Sequence, residues 1–270
     1  MNIMVIGAHP LDCEFYAAGT VVKFKNNGHK VKFVSVSNGD AGHQSMEREK
    51  IAKIRSAEME QADTLLGVEF EILDNHDTEI MPSLEIRDSL IRLIRNFQAN
   101  MVFSHRPNDF HPDHRNTGIL VQDTAYLVIV PNVCRDTPVL HKNPIYMYFQ
   151  DNFKSPVPFK PDIIVPVDDV FDRKVEALHL MPSMFYEWLP WTMGTLDSVP
   201  EGNAERRIWL DGLLRNWMKN PFKEETKKMY GHKTAQKIEM IEAFQLCEYG
   251  SQPSIEELHT MFPDLPERVG

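Results

Sequence analysis

The chain has 270 residues, a formal charge of −10 and a hydrophobic fraction of 42%, with 25% of its residues charged. This composition is typical of a globular protein with a large core. The acidic balance argues against a nucleic-acid partner, because phosphate backbones select basic surfaces.

Targeting and disulfide signals are absent from the sequence. No apolar run approaches the roughly 20 residues of a membrane-spanning helix, and the first residues enter a strand directly, without a charged leader. The three cysteines are scattered and lack CxxC spacing, so we expect neither a disulfide framework nor a thiolate zinc site. These features favour a cytoplasmic protein.

The first half of the sequence alternates short apolar runs with segments of helical periodicity. Strands are predicted at 3–6, 29–36, 68–73 and 101–104, and helices at 15–27, 46–66 and 84–97. Two strands joined by a helix within about 30 residues form a βαβ unit, which implies parallel pairing. We therefore expect an α/β fold whose mostly parallel sheet is flanked by helices.

The second half is predicted to complete this sheet and to add a C-terminal helical extension. A helix is expected at 116–130, a loop at 131–143, strands at 145–149 and 163–167, and a helix at 168–180. A lid-like irregular region at 186–202, helices at 201–218 and 223–244, and an extended tail from residue 251 follow. The prediction is a single domain over 1–270, with a core to about residue 185 and the C-terminal loop and helices at about 186–250.

Two histidine-rich clusters follow predicted strands of the same sheet. His9-Pro-Leu-Asp12 comes after the first strand, and His111-Pro-Asp-His114 follows the strand at 101–104. Because ligands bind at the carboxyl ends of parallel strands, the clusters are expected to be neighbours. Two imidazoles and one carboxylate, with a fourth position for water, form the ligand set of catalytic zinc. The alternative is that these are loop histidines that stabilise turns.

These motifs resemble those of the LmbE-like, or PIG-L, family of zinc-dependent de-N-acetylases. The first family motif, Ala-His-Pro-Asp-Asp followed by Glu, stands here as AHPLDCE at 8–14, and the second, His-Pro-Asp-His-Arg, is intact at 111–115. The glycine-rich turn at 38–42 and the helix that carries Arg55 and Glu58 also match. The resemblance covers nearly the whole chain and is weakest at 186–204.

The resemblance implies a Rossmann-like sheet and a role for each motif residue. Zinc (Zn) would be bound by His9, Asp12 and His114. His111 would be the catalytic imidazole that stabilises the tetrahedral oxyanion or protonates the leaving amine, and Asp113 would orient it.

Other residues are expected to act around this site. Arg55 would bind substrate, as in family members, although a charge on an exposed helix face is the alternative. His43 and His105 are candidates to support the metal ligands, and Trp188 and Trp191 are candidates to wall a sugar pocket or simply to pack.

Leu11 departs from the family pattern. The family has there the aspartate that takes a proton from the attacking water, and leucine cannot accept a proton. Glu14, Asp40 and Asp113 are the nearby carboxylates available to replace it, although Glu14 is equally expected to stabilise the start of the following helix. Leu11 thus puts the activity in question and leaves the metal ligands intact.

The expected function is hydrolysis of the N-acetyl group of an amino sugar or a related small acetamide, weakened by Leu11. The alternative is a catalytically silent zinc-binding member that binds a glycan or has a regulatory role. A nucleotide-binding Rossmann protein is disfavoured, because GAHP and not GxGxxG follows the first strand. The expected partner is a small N-acetylated sugar-like molecule, with no nucleic acid and no membrane span, and homo-oligomerisation is left open.

Overall fold

A seven-stranded sheet forms the centre of the computed structural model, which describes residues 1–262 and Leu265. The strand order is β3-β2-β1-β4-β5-β7-β6, with β1 at Asn2–Gly7, β2 at Lys30–Ser35, β3 at Glu69–Ile72, β4 at Met101–Ser104, β5 at Ile145–Phe149, β6 at Ile163–Pro166 and β7 at Ile241–Gly250. β7 runs antiparallel to both of its neighbours, and the other pairings are parallel. The predicted mostly parallel sheet flanked by helices is confirmed.

Helices cover both faces of this sheet. The main ones are α1 (Asp12–Asn26), α2 (Arg48–Leu66), α3 (Leu84–Phe97), α4 (Pro112–Leu127), α5 (Phe171–His179), α6 (Leu189–Thr192), α7 (Asn203–Trp217), α8 (Lys223–Tyr230), α9 (His232–Ala235) and α10 (Ile255–Met261). Ser183–Trp188 forms a π-helical turn, and Leu196–Ser198 forms a 3₁₀ turn. Among the described residues, no helix is long and apolar enough to cross a membrane.

The first strand shows why the core has two layers. Ile3 and Val5 belong to the hydrophobic cluster that contains α1 and α5, whereas Met4 and Ile6 belong to the cluster that contains α3 and α4. Successive side chains of a strand point to opposite faces, so a strand covered on both sides is apolar at every position. This explains the uninterrupted apolar run at the start of the sequence.

The C-terminal region differs most from its prediction. The helix expected at 223–244 is wrong: α8 ends before Gly231, whose φ of 75° is left-handed, and the chain then enters β7 between β5 and β6. The extended tail is also wrong at 255–261, where α10 forms behind a capping box at Ser254, while Pro263 and Pro266 of that tail lie outside the described residues.

Two other segments near the candidate site differ from their predicted secondary structure. The helix expected to begin at 116 begins at Pro112, so the second histidine motif lies in the first turn of α4. The irregular region expected at 186–202 is partly helical, through the π-helical turn, α6 and the 3₁₀ turn.

The segment between α4 and β5 lacks regular structure, as predicted, but it is organised around a buried cation. Arg95 of α3 is 1% exposed. Its guanidinium donates hydrogen bonds to the carbonyls of Leu127, Val128, Val130, Val133, Cys134 and Thr137. One side chain thus satisfies carbonyls that an irregular segment would otherwise leave unpaired.

Candidate metal centre and active site

The turn between β1 and α1 places the first motif. A Cβ atom on Gly7 would lie 2.5 Å from the Cβ of Asp12, so only glycine allows the chain to fold back this closely. The Asp12 Oδ2 accepts hydrogen bonds from the backbone N–H groups of Ala8 and His9, at 2.9 and 2.8 Å. These bonds fix His9 and Asp12 on one side of the turn.

The three predicted metal ligands come together at the carboxyl edge of the sheet. His9 Nδ1 lies 3.5 Å and His114 Nε2 lies 3.6 Å from Asp12 Oδ2, and one ligand atom from each residue fits within 4.8 Å. Zinc bonds of about 2.0–2.2 Å place tetrahedral ligands about 3.3–3.6 Å apart, so the donor set and its spacing fit zinc. The three side chains are also almost entirely buried.

Two neighbours fix the orientation of His114. Its Nδ1 lies 3.1 Å from Asp109 Oδ2, and its ring stacks on His105 with centroids 4.1 Å apart. Burial and the nearby His114 lower the pKa of His105 to about 4, so this ring is neutral. A carboxylate on the outer nitrogen of a metal-binding histidine is the usual way to hold its ring and tautomer. His105 was a predicted candidate; Asp109 was not.

His9 is surrounded by carboxylates on its other side. Its Nε2 lies 3.1 Å from Asp77 Oδ1 and 3.3 Å from Asp113 Oδ2. Burial disfavours the charged ring, but the carboxylates of Asp113, Asp12 and Asp77 outweigh burial and raise the pKa of His9 well above its usual value. Sequence reasoning missed Asp77, although the polar stretch at 74–77 follows β3 at the same edge of the sheet and was the available signal.

His111 lies beside the three ligands as the N-cap residue of α4. Its ring centroid is 4.7 Å from that of His9 and 5.0 Å from that of His114. Its Nδ1 accepts the backbone N–H of Asp113 at 3.2 Å, so Nε2 is the nitrogen available to a ligand. Burial and the neighbouring His9 and His114 lower the pKa of His111, which favours the neutral imidazole.

Asp113 contacts His111 through its backbone N–H and not through its carboxylate. The contact is the backbone N–H described above, whereas the carboxylate accepts the backbone N–H of Thr78 at 2.7 Å and faces His9. Asp113 lies in the first turn of α4, which begins at Pro112. The carboxylate therefore supports His9 instead of orienting His111.

Arg55 is buried behind the glycine-rich turn and does not lie on an exposed helix face. Its guanidinium, 2% exposed, donates to the carbonyls of Gly39 and Gly42, at 2.9 and 2.5 Å. Side chains at these two glycines would crowd Arg55. Its Nη1 also lies 3.9 Å from Asp77 Oδ2. Arg55 is thus connected to His9 through Asp77.

Leu11 keeps an unusual backbone conformation, with φ at 117°. The carboxylates considered as replacements for the missing base lie in different places. Glu14 is fully buried beside Asp63, and Asp40 accepts the backbone N–H of Asp77 at 2.9 Å. Of the three, only Asp113 contacts His9, which Asp77 also contacts.

The π-helical turn packs against the same glycine-rich turn. His43 Nε2 lies 2.8 Å from Glu187 Oε2, so His43 links the two segments. Trp188 stacks on Trp191, with centroids 5.2 Å apart, and its indole nitrogen approaches Gly42. The first residues of the predicted lid-like region therefore border the turn that Arg55 holds.

Known proteins resemble this chain in sequence and in fold. Residues 4–125 match the family profile described as PIG-L, GlcNAc-PI de-N-acetylase. Diacetylchitobiose deacetylase of Thermococcus kodakarensis is 27% identical over 198 residues, which cover 70% of this chain and 73% of that protein. The 4-oxalmesaconate hydratase of Pseudomonas putida is 24% identical over 230 residues, which cover 78% and 88%.

A solved structure supports the same relationship at the level of fold. The N,N'-diacetylchitobiose deacetylase from Pyrococcus horikoshii superposes with a TM-score of 0.70 at 24% identity, over 91% of this chain and 83% of that one. The predicted resemblance to the PIG-L (LmbE-like) family is confirmed by the match of residues 4–125 to its profile and by the deacetylase among the relatives.

Proposed function

We propose that the chain is a zinc-dependent hydrolase that removes the N-acetyl group from an amino sugar or a related small acetamide. The observation that carries this proposal is the cluster of His9, Asp12 and His114 at the carboxyl edge of the sheet, with the His111 ring beside it. The deacetylases among the relatives support the reaction type.

In this proposal His9, Asp12 and His114 hold the metal, and the residues around them hold the ligands. Zinc at this position supplies Lewis-acid polarisation of the amide carbonyl and a lowered pKa of water. Asp109 fixes the ring of His114, while Asp77 and Asp113 fix the ring of His9.

His111 is the group that acts on the substrate. Its neutral imidazole carries its proton on Nε2, because Nδ1 accepts a backbone N–H, and this Nε2–H would donate a hydrogen bond to the developing oxyanion. The helix N-cap bond holds Nδ1 and therefore the orientation of the ring. This arrangement requires no carboxylate on His111.

Leu11 weakens this reaction. A lost general base typically costs about 10²- to 10⁴-fold in rate. Asp77 and Asp113 are the carboxylates that contact the cluster through His9, and both are already engaged there. We therefore propose slow hydrolysis by the wild type, with the metal ligands unaffected.

A second candidate function follows from Leu11 itself. A chain that keeps the metal ligands but lacks a base has the properties of a zinc-binding, catalytically silent protein that binds a glycan. The two candidates differ in one measurable respect, which is whether amine and acetate are released from any N-acetylated ligand that binds.

The test uses the zinc-loaded protein and a panel of N-acetylated mono- and disaccharides. Released amine is measured with fluorescamine and released acetate enzymatically, before and after removal of the metal by a chelator. We expect slow, metal-dependent release that His111→Ala abolishes and His141→Ala, at an exposed position outside the site, does not change. The panel includes 4-oxalmesaconate, because one relative is a hydratase.

Failure of the proposal has a clear form. In one outcome, the wild type and Leu11→Asp both bind a ligand without releasing amine or acetate. That outcome would contradict hydrolysis and would favour the catalytically silent binding protein. Hydration of 4-oxalmesaconate without deacetylation would assign the site to a different reaction.

We also propose that residues 1–270 form a single domain. The support is β7, which lies between β5 and β6, so the C-terminal region completes the same sheet that carries the metal ligands. Limited proteolysis that released a stable folded fragment ending near residue 185 would contradict this.

A further inference from the structure

A second set of metal-binding side chains overlaps the zinc ligands proposed above. One ligand atom from each of His9, His111 and Asp113 also fits within 4.8 Å. This set, which we call the second triad, shares only His9 with the proposed zinc ligands. Two imidazoles and one carboxylate are again a donor set that suits a divalent transition-metal ion.

The two nitrogens of the His9 ring face different carboxylates. Nδ1 lies 3.5 Å from Asp12, which is one of the proposed zinc ligands. Nε2 lies 3.3 Å from Asp113 Oδ2 and 3.1 Å from Asp77 Oδ1. Because an imidazole that has lost its protons can bind one metal ion at each nitrogen, His9 can belong to both sets of ligands at the same time.

Asp113 keeps one carboxylate oxygen available for such an ion. Its side chain is completely buried, and Oδ2 accepts the backbone N–H of Thr78 at 2.7 Å. Among the described residues, Oδ1 has no hydrogen-bond partner. A buried carboxylate oxygen without a partner is costly, and a bound cation removes this cost.

His111 supplies the third ligand of the second triad. Its Nδ1 accepts the backbone N–H of Asp113 at 3.2 Å, so Nε2 is the nitrogen that a metal ion would bind. Its ring meets the ring of His9 edge-on, with centroids 4.7 Å apart. The side chain is half-buried, so an ion can reach this side of the cluster from solvent.

The charges around the second triad also favour a cation. Asp77 and Asp113 are both buried, and both contact His9 Nε2. The guanidinium of Arg55 approaches Asp77 Oδ2 only to 3.9 Å. Two buried carboxylates beside one guanidinium carry an excess negative charge, which a divalent ion would neutralise.

We propose that His9, His111 and Asp113 form a second, weaker site for a divalent transition-metal ion, and that an ion bound there inhibits the protein. The ion takes the Nε2 positions of both imidazoles, and their protons go to solvent. His111 then lacks the Nε2–H that would stabilise the oxyanion. The inhibition rests on the proposed function, whereas the second metal site does not.

The test is a zinc titration of the metal-free full chain by isothermal titration calorimetry, with metal analysis after equilibrium dialysis. We expect one equivalent to bind tightly and a second to bind about 10²-fold more weakly or less, because two cations that share an imidazole repel each other. Desalting should remove only the second. His111→Ala should lose the second equivalent and keep the first, and His141→Ala, at an exposed position outside the site, should keep both.

Anomalous diffraction at the zinc absorption edge locates the ions in the wild type and needs no variant. One equivalent of zinc should give one peak, and excess zinc should add a second peak beside His111. A wild type that binds one equivalent only, or a second equivalent that a folded His111→Ala protein retains, would overturn the second site. Circular dichroism checks the fold of the variant.

Acetate release in the same samples separates this proposal from the hydrolytic one. We expect occupancy of the second site to lower the rate by about tenfold or more. Unchanged release at full occupancy would overturn the inhibition. A second equivalent that His111→Ala removes, in samples that release no acetate at any zinc concentration, would support the second site and overturn the proposed hydrolysis.

Discussion

Leu11→Asp is the change that separates a weakened hydrolase from a silent protein. The left-handed φ of 117° costs a residue with a Cβ atom about 1–2 kcal/mol, and aspartate tolerates this region better than leucine. Leu11 is partly buried against the core, so the substitution also loses about 1 kcal/mol of apolar burial. The two effects oppose each other, and we expect the melting temperature to change by only about 4 °C or less.

The effect on activity should be far larger. A restored general base contributes about 10²- to 10⁴-fold, or about 3–5 kcal/mol of transition-state stabilisation. We expect kcat/KM for an N-acetylated sugar to rise by about 10²-fold or more in Leu11→Asp, with unchanged zinc content, because Leu11 is not among the ligand residues.

The matched control is Leu11→Asn. Asparagine has the shape and backbone preference of aspartate but cannot accept the proton. Amine release is measured for the wild type and both variants on the same substrates. An increase of equal size in Leu11→Asn, or fast wild-type turnover that Leu11→Asp does not improve, would refute the argument that a base is missing.

Three further predictions concern residues that support the site and the fold. Asp109→Asn should weaken zinc affinity by about 10- to 100-fold in a chelator competition, because the carboxylate holds His114; unchanged affinity would contradict this. Burial raises the pKa of both carboxyls of the Glu14–Asp63 pair, so the contribution of this pair to stability is fully present below about pH 4 and is lost as the pH rises. Urea unfolding should show that Asp63→Asn is more stable relative to the wild type at about pH 8 than at about pH 5; an equal difference at both pH values would refute the raised pKa of Asp63. Arg95→Met should lower the free energy of unfolding by about 3 kcal/mol or more, because it leaves buried carbonyls unpaired; a loss below about 1 kcal/mol would contradict this.

The sequence predicts the strands and helices well where the hydrophobic periodicity of a segment matches its burial in the folded protein. The strand at Met101–Ser104 and the helix at Leu84–Phe97 have their predicted bounds, because each carries the period of a buried strand or an amphipathic helix. β7 was missed because it enters the sheet from the C-terminal region, where the preceding residues have helical character. A strand inserted between β5 and β6 is specified by partners distant in sequence, which periodicity does not reveal.

In the candidate site too, local motifs identified some residues, and contacts between distant parts of the chain place the others. The two histidine motifs could be read from the sequence because each follows a strand whose end lies at a known edge of the sheet. Asp77 and Asp109 could not be assigned, because their contacts with His9 and His114 depend on how loops close around the ligands. The role of Arg55 in substrate binding stays a prediction, and the sequence did not reveal that its guanidinium is buried and donates hydrogen bonds to the carbonyls of Gly39 and Gly42.

The central claim is that His9, Asp12 and His114 hold a zinc ion. Metal analysis of the purified, zinc-loaded and desalted protein tests it most directly, with His114→Ala as the variant and His141→Ala as the control. We predict about one zinc per chain in the wild type and the control, and loss of most of the zinc in His114→Ala with an unchanged circular dichroism spectrum. Full zinc occupancy in a folded His114→Ala protein would contradict the proposed metal centre.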